Sequence, residues 1–324
     1  MMQRKAPMLD HLVVNAMFEI DAAAVCFAAL GFTLTPLGYH SLGSVNHLMM
    51  LGDHYLELVG LPVGTTTLRR EILESRLGID GLVFKSDDAQ ATYDRLIGAD
   101  VDCGAPQSFS RPVEIDGCEQ IARFRTTRLT AGELPGVRVY FCEHLTPQWV
   151  FGPAVPPHAN GAHTLTELVV VSREPAGDAR HYARIAGYTD AGVQAEASTG
   201  AHTDAGADTD MRQTDSVCIK LEGFDLRFVD APAYQARYRE LVCNPGERDS
   251  YFGAFVVAVD DLAAVLERAQ ALAVADEDCL VQVLPDELDV SDVSDGTRGS
   301  SVAVLLRRFN TLIEFTGVVE HVHA

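Results

Sequence analysis

LDHLVVNAMFEIDAAAVCFAALGF, residues 9–32, decides the fold because its pattern occurs twice. It opens on a short apolar run rich in valine and passes into an alanine-rich helical pattern that stops at Gly31. LTELVVVSREPAGDARHYARIAGY, residues 165–188, repeats that order, with Leu-x-x-Leu-Val-Val in both. His11 to Gly31 is 20 positions, and Glu167 to Gly187 is also 20. A recurrence on this scale points to an architecture of repeated supersecondary units.

A second unit follows each copy. GLVFKSDDAQATYDRLIGA (81–99) and AFVVAVDDLAAVLERAQAL (254–272) both run from a strand-like segment into Asp-Asp and then a helical pattern. An aspartate there suits a helix N-terminus, where it accepts from free backbone N–H groups. Further strand candidates come after each helix: HLMML and YLELVG, VRVYFCEHL, SVCIKL and FDLRFVDA, VAVLLRR and TLIEFTG. The prediction is an α+β protein of four βαβββ units. Equating the units gives offsets of 156 (His11 to Glu167), 170 (Glu57 to Arg227), 173 (Gly81 to Ala254) and 171 (Glu143 to Glu314). The jump of 14 falls at EASTGAHTDAGADTDMRQTD, which lacks apolar periodicity and is expected to hold a mobile insert at about 195–213. VFGPAVPPHANGA concentrates Pro and Gly as a linker does, which predicts domains at 1–154 and 155–324.

Composition narrows the function classes. The 25 basic and 46 acidic residues give a formal net charge of -21, which repels nucleic acid and anionic lipid. A small molecule is the expected partner. The seven cysteines are scattered without a C-x-x-C pair, as in a reducing compartment. The N-terminal apolar run is broken by Asp10, His11, Asn15 and Glu19, so no signal-peptide core forms, and the cytoplasm is the expected location. No phosphate loop, dinucleotide fingerprint, serine elbow or HExxH helix occurs in the sequence.

Taken together, LDHLVVNA, LGF, GYHSLGSVNHLMMLGDHYLELVG, FSRPVE and YFCEHLTPQWVFGP resemble the glyoxalase-like branch of the vicinal-oxygen-chelate superfamily. The resemblance implies that paired units form cup-shaped mixed sheets, two cups in this chain. It also implies a divalent metal (Fe, Mn, Ni, Co or Zn) held on first and last strands, and a substrate chelated through vicinal oxygens. Lyase or isomerase chemistry would follow, with a metal-free binding protein of the bleomycin-resistance type as the alternative. Open sheets in this superfamily often pair across subunits, so a homodimer is admissible.

The matching positions in the first half are His11, Glu57, Gly81 and Glu143, with His144 next to the last. These make His11, Glu57, Glu143 and His144 the candidate metal ligands, and Glu57 and Glu143 the candidate catalytic bases. Strand alternation puts His11 with Val13 and Asn15, and separates Glu143 from His144, so only one of that pair can face the cup. Unit alignment favours Glu143; the family pattern favours His144. Glu57 lies in a strand apolar on both faces, where a carboxylate needs a cation, a donor or a metal. In the second half the positions read Glu167, Arg227, Ala254 and Glu314. An ion pair of Arg227 with Glu167 or Glu314 would replace a metal there, which argues against extradiol ring cleavage.

Asn46, His47 and Arg111 are the candidate substrate-binding residues, from a loop preceding a strand and from FSRPVE. Arg111 could equally be an ion-pair residue, and Trp149 a core aromatic. His40 is assigned to turn chemistry with Gly43 and Ser44, and His54 to a solvated hairpin after Gly52-Asp53.

Overall fold

The computed structural model describes residues 8–65, 68–152, 154–188, 193–196, 216–285 and 300–317. The residues expected to form the insert lie outside these, apart from Ala195 and Glu196.

Two eight-stranded mixed sheets make up the fold. The first holds β1 (Leu9–Asn15), β2 (Gly38–Tyr39), β3 (Val45–Leu51), β4 (His54–Gly60), β5 (Gly78–Lys85), β6 (Gln107–Ile115), β7 (Cys118–Arg128) and β8 (Arg138–His144), in the order β2-β3-β4-β1-β5-β8-β7-β6. The second holds β9 (Ala162–Ser172), β10 (Val193–Glu196), β11 (Ser216–Lys220), β12 (Asp225–Val229), β13 (Ser250–Val259), β14 (Cys279–Leu284), β15 (Ser301–Leu306) and β16 (Thr311–Gly317), in the matching order. Helices α1 (Ile20–Ala29), α3 (Ala89–Gly98), α4 (Pro175–Ala186) and α6 (Leu262–Ala275) each follow the first strand of a unit. Each half is thus two βαβββ runs whose first strands pair antiparallel at the sheet centre, β1 with β5 and β9 with β13.

Local chemistry places the helices. Asp88 accepts from Gln90 N and Ala91 N at the start of α3, and Asp261 from Ala264 N at the start of α6. These are the second aspartates of the two Asp-Asp pairs. Gly187 ends α4 in a left-handed conformation, φ 84°, which glycine adopts without a Cβ penalty.

One apolar core joins the helix-bearing faces of both sheets. Leu12, Leu56, Leu82 and Phe141 come to it from the first sheet, Leu168, Phe228, Phe255 and Phe315 from the second, and Phe27, Leu96, Tyr182 and Val265 from the helices. Alternation along the same strands sends the intervening residues into the two cups, which have separate apolar linings. The first cup is drawn together at its rim, where Ser41 N, just after edge strand β2, donates to Ser110 O of edge strand β6 (2.9 Å). His54 is not a free turn residue: its Nε2 accepts from Leu165 N (3.0 Å) and ties the Gly52-Asp53 hairpin to β9. Among the described residues no helix is long and apolar enough to cross a membrane.

Candidate functional site in the N-terminal cup

Inside the first cup, strand alternation and one loop bring polar side chains onto a small cavity lined by His11, His40, Asn46, Glu57, Arg69, Arg111 and Tyr140 among others. About 20 Å³ is free between them, room for an ion or an ordered water. Glu57 lies at the centre, 7% exposed. Asn46 Nδ2 donates to Glu57 Oε1 (2.7 Å), His11 Nε2 stands 3.6 Å from Oε2, and His40 Nε2 stands 4.0 Å from Oε1. Burial alone would raise the Glu57 carboxyl, but His11, His40 and the Asn46 hydrogen bond hold it below its usual value. It is a carboxylate at neutral pH.

Both imidazoles are oriented from behind. His11 Nδ1 is 2.5 Å from Asp10 Oδ1, and its ring stacks on Tyr55 at 4.4 Å between centroids. His40 Nδ1 is 2.9 Å from Ser44 Oγ. Each ring therefore presents Nε2 toward Glu57, and burial lowers His40 to about 4, keeping it neutral. Asp10 also accepts from His144 Nε2 (2.9 and 3.1 Å). Despite complete burial, these two histidines keep Asp10 far below the usual carboxylate range. The Tyr140 hydroxyl is 3.4 Å from His11 Nε2, and burial pushes its ionisation up, so it stays a neutral donor.

The donor types suit a divalent ion. Two imidazoles and one carboxylate suit Fe, Mn, Co, Ni or Zn, and two donors at about 2.0–2.2 Å from one ion stand no more than about 4.4 Å apart. The separations of 3.6 and 4.0 Å are to different oxygens of Glu57, and the three side chains do not bring one donor atom each within 4.8 Å of one another, so an ion shared by all three would require them to draw closer. Asp10 behind His11 is the kind of carboxylate that fixes the tautomer of a ligating histidine. Among the described residues it is Asp10, Cys142 and His144, behind His11, that bring three potential donor atoms within 4.8 Å of one another. Asp10 is hydrogen-bonded to both His11 and His144, which ties this group to the back of His11.

The glyoxalase-like domain family matches residues 9–186, from β1 to the end of α4. The chain belongs to the glyoxalase-like domain family. With it goes the vicinal-oxygen-chelate fold, which solved structures share along the whole chain. A hypothetical protein from Staphylococcus aureus is 10% identical over 96% of this chain and 99% of its own, with a TM-score of 0.56. A mutant 4-hydroxymandelate synthase from Streptomyces coelicolor is 14% identical over 97% of this chain and 93% of its own, at 0.53. A xylose isomerase-like TIM barrel/4-hydroxyphenylpyruvate dioxygenase fusion protein is 13% identical over 98% of this chain and 50% of its own, at 0.52. At such identities the likeness is one of fold. No curated protein matches the sequence.

Of the residues singled out in this glyoxalase-like sequence, the structure brings together His11, Glu57, Asn46 and Arg111. His144 faces the cup side of β8 and reaches His11 through Asp10. Glu143 is on the opposite face, where its carboxylate accepts from Ala89 N (3.0 Å) at the start of α3 and lies 3.7 Å from Arg125. His47 also points away, with Nδ1 2.6 Å from Thr35 O. Strand register corrects the unit alignment for Glu143. Glu57 pairs with Val13, two residues after His11, and Arg227 with Val169, two after Glu167. By the same rule Glu314 pairs with Val256, two after Ala254, and Tyr140 with Val83, two after Gly81. Tyr140, three residues before Glu143, is therefore the counterpart of Glu314. His40, Asp10, Tyr140 and Arg69 were not anticipated as site residues. His40 does close a turn, through Gly43 N to His40 O (3.0 Å), but its ring enters the cavity.

The second cup is filled. Arg227 Nε donates to both oxygens of Glu167 (2.9 and 3.0 Å), the ion pair expected from the sequence. Glu314 accepts from Arg237, from the Tyr238 hydroxyl (2.7 Å) and from Ser301 Oγ (2.6 Å). Helix α5 (Ala231–Tyr238), capped by Asp230 on Ala233 N (2.8 Å), carries Tyr234 and Tyr238 into the cup lining.

Proposed function

We propose that the N-terminal cup is the active site of a divalent-metal-dependent lyase or isomerase that handles a small substrate through two neighbouring oxygens. One observation carries this reading: two imidazoles, each fixed at Nδ1 from behind, turn Nε2 toward one buried carboxylate. A divalent ion held by His11, His40 and Glu57 would supply Lewis acidity to the substrate oxygens. Glu57, kept ionised by its neighbours, is the group placed to take a substrate proton, and Asn46 fixes its orientation. Tyr140 offers a neutral hydroxyl beside His11. Phe109, Phe124 and Leu48 line the same cavity and limit water around these groups.

A second reading is a metal-free binding pocket. Gly81 and Tyr140 favour it, since two of the four strand positions then carry no strong metal ligand. Elemental mass spectrometry on tag-free protein separates the two. The metal reading expects near-stoichiometric transition metal that His11→Ala, His40→Ala and Glu57→Ala each remove. Absence of metal after incubation with Mn, Fe, Co, Ni or Zn would replace it with the binding-pocket reading.

A further inference from the structure

Resting on the reading of this cup as a ligand site, the charge inside it points to what the ligand is. Arg69 and Arg128 share Glu71, the latter at 2.6 Å. Arg111, brought in by edge strand β6, is 7% exposed and has no ion pair or side-chain hydrogen bond among the described residues. Glu57 attracts it only through space. A buried cation without a hydrogen-bonded counter-ion is strongly disfavoured, and this one faces the cavity of a chain whose net charge of -21 would otherwise repel anions.

An acceptor is stranded beside it. Asn46 uses Nδ2 on Glu57, and its Oδ1 is buried with no hydrogen-bond partner among the described residues. Gly38 packs against both groups: a Cβ there would lie 2.5 Å from Asn46 Oδ1 and 3.3 Å from an Arg111 Nη atom. A free guanidinium fork calls for a carboxylate or phosphate, and a stranded carbonyl oxygen calls for a hydroxyl. A single guanidinium without an ion pair among the described residues favours the singly charged group. We propose that the substrate is a small hydroxycarboxylate, its carboxylate paired with Arg111 and its hydroxyl donating to Asn46.

The test is thermal unfolding of the full chain, both EDTA-treated and reloaded with Mn, in the presence of glycerate, lactate or malate. Propionate, lactamide and inorganic phosphate serve as comparisons. At least one hydroxycarboxylate should raise the midpoint in both preparations, propionate less, and lactamide not at all. Arg111→Met should weaken that response at least about tenfold, while Arg111→Lys keeps part of it. Without ligand, Arg111→Met should unfold at a higher temperature than wild type, because it removes a charge that the empty cup leaves unpaired. The proposal is overturned if lactamide matches lactate, if phosphate exceeds every carboxylate, if no hydroxycarboxylate acts, or if Arg111→Met lowers the unliganded midpoint. A carboxylate response in protein that binds no metal would sink the metal reading alone. Metal binding without a carboxylate response would sink this proposal alone.

Discussion

The two cups share a backbone and differ in how their buried polar groups are satisfied. In the second, Glu167 and Glu314 have their own arginines, a tyrosine and a serine, and α5 packs tyrosines over them. In the first, Arg111, Asn46 Oδ1 and Nη2 of Arg128 have no partner among the described residues. A cup whose charges are matched internally stabilises the fold, whereas one with unmatched groups gives up stability for a ligand. The difference begins after the fourth strand of each half. There β12 leads straight into α5, while β4 leads through a loop to the four-residue α2 (Arg70–Leu73).

The sharpest way to break this contrast is through its two glutamates. Glu314→Ala should cost about 3–5 kcal/mol in urea unfolding, because it removes a buried carboxylate that accepts from Arg237, Tyr238 and Ser301. Glu57→Gln should cost less than about 1 kcal/mol. Equal costs would erase the distinction between a structural and a functional carboxylate. Metal affinity, measured by competition with a chelator, should respond the other way: His11→Ala lowers it more than about 100-fold and Glu167→Ala leaves it unchanged.

Asp10→Asn tests the support behind His11 and should lower metal affinity about 10–100-fold. It also carries a pH signature. Asp10 ionises far below its usual 3.8 in the folded chain, so its stabilising contribution is complete above pH 3.8 and fades as pH falls below it. The stability gap between wild type and Asp10→Asn should therefore be flat near neutral pH and shrink below pH 3.8. Glu143→Gln should have the smallest effect, under about 1 kcal/mol from the lost charge at the start of α3, with metal affinity untouched.

The fold class was legible because strand and helix periods, the Asp-Asp helix starts and the Leu-x-x-Leu-Val-Val recurrence all agree. Glu57 was legible too: a carboxylate in a doubly buried strand demands partners, and it has them. Counting residues between units did not yield register. Loops of unequal length before β8 and β16 hid a three-residue slip, which put Glu143 where Tyr140 belongs. Asp10 was hidden by a local irregularity, since the β1–β5 register shifts between Leu9 and His11 and lets neighbouring side chains meet. For His40, turn residues accounted for the backbone, and nothing local showed which way the ring would swing. The plug in the second cup did leave a trace, Asp230 followed by Pro232, a helix start directly after a strand.

One cup is proposed to hold a ligand-binding centre, and the other is closed by its own side chains. Anomalous diffraction from crystals soaked in Mn addresses this contrast directly. A single strong peak between His11, His40 and Glu57, with none beside Glu167 or Glu314, is the predicted result. A peak in the second cup, or none in the first at full soak, would contradict it.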